Sequence, residues 1–102
     1  MKELVRIYPN IKQKYILTRV IQDGNELVLL WGNPNIKWHK DILQEMKDKG
    51  IEVIGPLGGG WLFFDSEMDV VYVWGKSDGL GPAPIRLVFE LLGGKVLEKE
   101  PV

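Results

Sequence analysis

Asp23-Gly24 separates two β-rich runs, Lys14–Gln22 and Asn25–Trp31, and no other feature limits the fold as strongly. The dipeptide suits the positive φ values of a two-residue hairpin turn, so the runs are expected to pair antiparallel. Both runs are apolar at consecutive positions in places, Ile16 with Leu17 and Val28 with Leu29 and Leu30. A strand that is apolar on both faces belongs inside a covered sheet. Helices must then lie on both sides.

Two segments can supply them. Trp38, Ile42 and Met46 recur at i, i+4, i+8 with Leu43 beside them, the stripe of an amphipathic helix that runs to Lys49 and stops at Gly50. Asn35 is placed to cap it, with Asn33-Pro34 holding the incoming chain extended. The second helix is predicted over Ala83–Leu92, with Pro84 in its first turn, Ile85, Val88, Phe89 and Leu92 on one face, and Gly93-Gly94 as its end. Ile51–Ile54, Trp61–Phe64, Val70–Gly75 and Lys95–Lys99 read as strands, and Leu4–Tyr8 as a further edge piece. This order predicts an α/β fold: a mixed, mostly six-stranded sheet with one helix on each face, built by residues 1–102 as a single domain.

Charge and residue usage remove several functional classes. Thirteen basic and fourteen acidic residues leave a net charge of −1, so no broad positive field exists to hold nucleic acid or an anionic membrane. With no cysteine there are no disulfides, thiolate metal sites or cysteine nucleophiles. One histidine, His39, cannot build a histidine-rich metal site. The Met1–Tyr8 start has no apolar signal core and no apolar run reaches the length of a membrane span, so a cytoplasmic, monomeric domain is expected.

The chemistry-bearing residues each allow a plain reading. Gly58-Gly59-Gly60 falls between two predicted strands, and Gly75, Gly79 and Gly81 surround the loop after a third. Such backbone can bring N–H groups close to an oxyanion, or simply turn. Gly75-Lys76-Ser77 imitates the tail of a P-loop, but Val70 stands where that loop requires glycine. No G-x-G-x-x-G is present. His39 lies in the first turns of the first helix, where the dipole disfavours an imidazolium and leaves a neutral ring with a lone pair. An isolated histidine there is by default a cap or a partly packed side chain. Lys14 shares a strand face with Ile16, Thr18 and Val20, over the sheet end or out in solvent. Trp38 and Trp74 read as core, and Asp65, Glu67 and Asp69 as a solvated turn.

In combination these segments say more. Lys14-Tyr15-Ile16-Leu17-x-Arg19-Val20, His39-x-Asp41-Ile42, Leu57-Gly58-Gly59-Gly60 and Gly75-x-Ser77-x-x-x-Gly81-Pro82-Ala83 together resemble the protein-histidine phosphatase (Janus/Ocnus) family in order and spacing. The resemblance covers about Lys14 to Ala83. It implies a mixed six-stranded sheet with flanking helices and a hydrolase that removes phosphate from phosphohistidine in proteins or peptides, with no metal and no cofactor. It implies His39 as the catalytic residue, nucleophile or general base, and Lys14 as holder of the phosphoryl group. Ser77, Asp78 and Gly79 would cradle that group, and backbone N–H groups of His39, Lys40 and the triple glycine, Gly58 to Gly60, would complete the cage.

The chain departs from the family pattern at two places. Arginines are often found just after the triple glycine and eight residues before the histidine, where this sequence has Trp61 and Trp31. Lys37, Lys40 and Lys76 are the available substitutes, as point charges without the guanidinium fork. The alternatives are a non-catalytic phosphate-binding or phosphoprotein-binding module of the same fold, and an interaction domain built on an exposed Trp31 and Trp61.

Overall fold

The computed structural model describes residues 4–101; residues 1–3 and 102, the ends of the predicted 1–102 domain and the beginning of the Met1–Tyr8 start, lie outside the described residues. Eight elements follow in order. They are β1 (Val5–Arg6), β2 (Gln13–Gln22), β3 (Asn25–Asn33), α1 (His39–Asp48), β4 (Glu52–Asp65), β5 (Val70–Trp74), α2 (Ile85–Leu92) and β6 (Val96–Glu98). The six strands form one mixed sheet in the order β1-β3-β2-β4-β5-β6. Its centre is antiparallel, and β1 on β3 and β6 on β5 add parallel edges.

The hairpin forms as the turn chemistry dictates. Asp23 and Gly24 take φ of 52° and 79°, the left-handed pair of a two-residue turn, and Gln22 pairs with Asn25. Alternation along β2 then divides the core. Tyr15 and Leu17 join Leu30, Leu62, Val71, Val73 and Val88 of α2 on one face. On the other, Ile16 and Val20 pack with Leu29, Trp31 and the α1 residues Ile42 and Met46. One helix therefore covers each face, as the doubly apolar hairpin requires.

The structure corrects several expectations. Ile51–Ile54 and Trp61–Phe64 are not separate strands joined through a glycine turn, because β4 runs unbroken for 14 residues with Gly58, Gly59 and Gly60 inside it. Pairing with β2 skips a residue at two places, Leu17/Thr18 and Arg19/Val20, so β4 carries two bulges that let a long strand bend. The glycines are there because neighbours come too close for a side chain. A Cβ at Gly58, whose φ is 144°, would lie 2.2 Å from the Pro82 carbonyl oxygen, and one at Gly59 would lie 2.6 Å from that of Tyr15.

The helix starts also move. Trp38 is extended (φ −118°, ψ 138°) and stands before α1, so the helical stripe does not include it and its indole is 53% exposed instead of core. Asn35 is not the cap; its N–H donates to Asn33 Oδ1 at 2.9 Å, and Asn33 Nδ2 donates to Glu45 Oε2 at 2.9 Å, which fastens the loop to the middle of α1. Pro84 precedes α2 instead of sitting in its first turn, and Phe89 faces outward. Trp31 is buried, not exposed, because α1 lies over β3 and its indole N–H donates to Glu45 Oε1 at 2.8 Å. Trp74 is only half-buried, since α1 stops short of β5. The acidic group is a turn as expected: Asp65 Oδ1 accepts the N–H groups of Glu67 and Met68, both at 3.1 Å.

The tight passage at Gly58 yields a stability test. Gly58→Ala forces a methyl group into backbone and is expected to cost about 1–3 kcal/mol or more, lowering Tm by roughly 10 °C in a chain of this size. Gly79→Ala, which meets nothing within 4 Å, serves as the control and should leave Tm within about 2 °C of the parent in thermal circular dichroism.

Candidate functional site

Three segments far apart in the chain converge at one end of the sheet. His39 is the first residue of α1, and its ring lies 7% exposed against the glycine stretch of β4. Its Nε2 is 3.0 Å from the Gly60 carbonyl oxygen. A carbonyl can only accept, so Nε2 carries the proton and Nδ1 of the neutral ring holds the lone pair. The missing Cβ of Gly59 makes room for the ring, since an alanine methyl there would come within 2.8 Å of His39 Cδ2. Thus the Cδ2–Nε2 edge is fixed against β4. Nδ1 makes no hydrogen bond among the described residues, and His39 is one of the residues that line the cleft.

Burial pushes the His39 pKa below its ordinary value of 6.5; the hydrogen bond to Gly60 opposes this, the nearby Lys14 ammonium lowers it further and Asp78 raises it. The direction is the one expected for a neutral ring, but its main cause is burial and not the helix dipole. The ring is neutral at pH 7.

The loop after β5 closes the other side. Gly75 and Gly81 have φ of 71° and 78°, and between them the chain folds back on itself: Gly81 N–H donates to the Ser77 carbonyl at 2.8 Å and Leu80 N–H to Ser77 Oγ at 3.2 Å. Ser77 N–H in turn donates to the Gly59 carbonyl at 3.1 Å, and Gly59 N–H to the Gly81 carbonyl at 3.0 Å. The strand that seats the histidine therefore also seats the loop. Ser77 is buried, whereas Asp78 and Gly79 are exposed with backbone N–H groups that no described residue accepts.

Lys14 enters from β2. In register it stands opposite Trp61, and Trp61 stands opposite Trp74, so the three share one sheet face beyond the reach of α1. The Lys14 ammonium donates to the Lys37 carbonyl and lies 5.3 Å from the Trp38 ring centroid and 5.1 Å from that of Trp61.

These groups enclose a cleft of about 560 Å³. Of the residues singled out in the sequence, Lys14, His39, Lys40, Ser77, Asp78 and Gly79 line it together. Gly58 and Gly60 do not. Gly60 accepts the hydrogen bond of the ring, Gly58 packs against Pro82, and the Gly59 N–H is already used by Gly81. α1 starts without a side-chain cap, and the N–H groups of His39 and Lys40 find no acceptor among the described residues. The cleft thus combines three lysines, Lys14, Lys40 and Lys76, with four unclaimed N–H groups, those of His39, Lys40, Asp78 and Gly79. Such a site suits an anion with several oxygens. Among the described residues no group of three or more His, Cys, Asp or Glu side chains could hold a metal, and no helix is long and apolar enough to cross a membrane.

Residues 2–98 match the model of the Janus/Ocnus family (Ocnus), a span that includes every lining residue of the cleft. The chain belongs to the Janus/Ocnus family. A search of curated proteins returns no match. Within this Janus/Ocnus chain, Trp38 and the Lys37 carbonyl are parts of the site that the sequence does not reveal, whereas Trp61, at the family's arginine position, does line the cleft. An uncapped helix start directly before a lone histidine was the available signal for the first; the Lys14–Trp61 pairing needs the sheet order.

The depressed His39 pKa has a measurable sign. The unfolded chain takes up the proton more readily than the folded one, so this contribution to stability is full above pH 6.5 and is lost as pH falls toward the lower folded value. Stability from urea unfolding should decline on acidification below about pH 6.5, and His39→Asn should flatten that decline. In NMR titration Lys14→Met should bring the His39 pKa closer to its ordinary value.

Proposed function

We propose that this chain is a phosphohistidine phosphatase, removing phosphate from phosphohistidine in a protein or peptide at the His39 cleft. The observation that carries this reading is the His39 ring itself, with Nε2 held by Gly60, which leaves Nδ1 as the unprotonated nitrogen of a ring lining a cleft of lysines and unclaimed N–H groups. Neutral at pH 7, Nδ1 has two ways to act. As a nucleophile it forms an N–P bond while the P–N bond of the substrate breaks and the leaving nitrogen takes a proton; water then releases phosphate from His39. As a general base it takes a proton from a water that attacks phosphorus directly, while the P–N bond of the substrate breaks and the leaving nitrogen takes a proton.

In either case negative charge sits on the non-bridging oxygens of the transferred group. Donors fixed before the reaction stabilise that charge with little reorganisation. The N–H groups of His39, Lys40, Asp78 and Gly79 are the candidates, with Lys14 supplying an ammonium held in place by the Lys37 carbonyl. Ser77 acts by shaping the loop, because its Oγ accepts from Leu80 and its backbone is tied to Gly59 and Gly81.

A second reading, a module that binds phosphate or a phosphoprotein without turnover, draws on two observations. Lys14 is already bonded to the Lys37 carbonyl, and Trp61 occupies a place where the family often has arginine.

Phosphate release from a phosphohistidine peptide in the presence of a chelator separates the two. Turnover by the parent chain that falls at least about 100-fold in His39→Asn supports the phosphatase; equal turnover in the variant overturns the assignment of His39. Phosphate-induced shifts at the amides of Lys40, Asp78 and Gly79 with no release above background support the binding module.

A further inference from the structure

A second depression of about 370 Å³ adjoins the His39 cleft and shares Lys14 and Trp61 with it as a common wall. It is formed where Lys12, just before β2, and the loop Pro34–Lys37 line one depression. No acidic side chain lines it. Together the two depressions present five lysines, Lys12, Lys14, Lys37, Lys40 and Lys76, and one acid, Asp78. In a chain of net charge −1 this is a concentrated positive region.

The lysines of the second depression are held without an anionic partner among the described residues. Lys12 Nζ lies 4.5 Å from the Trp61 ring centroid and 5.9 Å from that of Trp74, and Lys37 Nζ lies 5.2 Å from Trp38. The ion pairs among the described residues, Arg6–Glu45, Arg19–Glu26 and Lys95–Asp69, include none of the five. Resting an ammonium on an indole face restrains its position while keeping its charge available. The same contacts argue against a ligand that stacks bases. Trp61 already lies against Trp74 (centroids 6.4 Å apart, 13° between planes) and under Lys12 and Lys14.

We infer that this second depression is a recognition subsite for carboxylate side chains next to the phosphohistidine, so that the preferred substrate is an acidic polypeptide segment. This rests on the phosphatase reading for the placement of the phosphohistidine, whereas the subsite itself rests on charge and shape. Acidic residues flanking the phosphorylated one would meet Lys12 and Lys37 after the chain crosses Trp61. Exposed charge pairs are individually weak, so two or three of them give about a tenfold preference, expressed in KM and fading with salt.

Two phosphohistidine peptides of equal length, one with Asp and Glu flanks and one with Ser and Ala flanks, test it. The parent chain should favour the acidic peptide about tenfold in kcat/KM, and Lys12→Glu should abolish the preference while turnover of the neutral peptide is unchanged. Equal kcat/KM for both peptides in the parent, or a preference that survives Lys12→Glu, overturns the subsite and leaves the phosphatase reading intact. Binding of the unphosphorylated acidic peptide, followed at the Trp61 indole N–H by NMR, reports on the subsite even if no peptide is hydrolysed. Shifts that appear with the acidic peptide and vanish in Lys12→Glu support it. A single-stranded RNA of equal charge that binds more tightly than the peptide overturns it in favour of a nucleic-acid surface.

Discussion

The approach of the His39 ring to the glycine backbone of β4 is the constraint on which the site depends. A histidine at a helix start is ordinarily free to turn toward solvent. Here one edge is fixed by the Gly60 carbonyl, and the space for that edge exists only because Gly59 has no Cβ. The hydrogen bond selects the tautomer, the burial selects the charge state, and both leave the same nitrogen available. Because the backbone of Gly59 also bonds the Ser77 loop at both its N–H and its carbonyl, one short piece of strand sets the position of the two opposing walls of the cleft.

Much of this architecture is legible in the sequence, for physical reasons that differ between elements. Asp23-Gly24 declares the hairpin because few residue pairs accept two consecutive left-handed conformations. The doubly apolar strands that follow demand cover on both faces, and α1 and α2 provide it. The glycine triplet misleads for the opposite reason: locally it resembles a turn, and what makes it a strand is the nearness of Pro82, Tyr15 and Trp74, none of which is adjacent in the chain. Trp38 misleads through a periodicity that continues one residue beyond the helix. Trp31 misleads because burial by α1 depends on which strand lies beneath that helix.

The site shows the same division. Lys14, His39, Lys40, Ser77, Asp78 and Gly79 can be picked out as residue types at family spacings, and they do come together. Gly58 and Gly60 fit the cage by spacing, yet Gly60 bonds the ring and Gly58 packs against Pro82, a distinction that depends on which side of β4 is open. The tryptophan neighbours of Lys14 follow from register across three strands, β2, β4 and β5. No pattern within a single segment encodes them.

The reciprocal bonding of Gly59 with Ser77 and Gly81 bears on how the cleft would behave when something enters it. Its frame is tied into the sheet, so the loss of conformational freedom falls on folding and not on the arrival of a guest. Adaptation is then left to the long side chains at the rim, Lys40 and Lys76, which are exposed and free to swing. A fixed floor with mobile fringes recognises the constant part of a visitor by geometry and tolerates variety in everything attached to it.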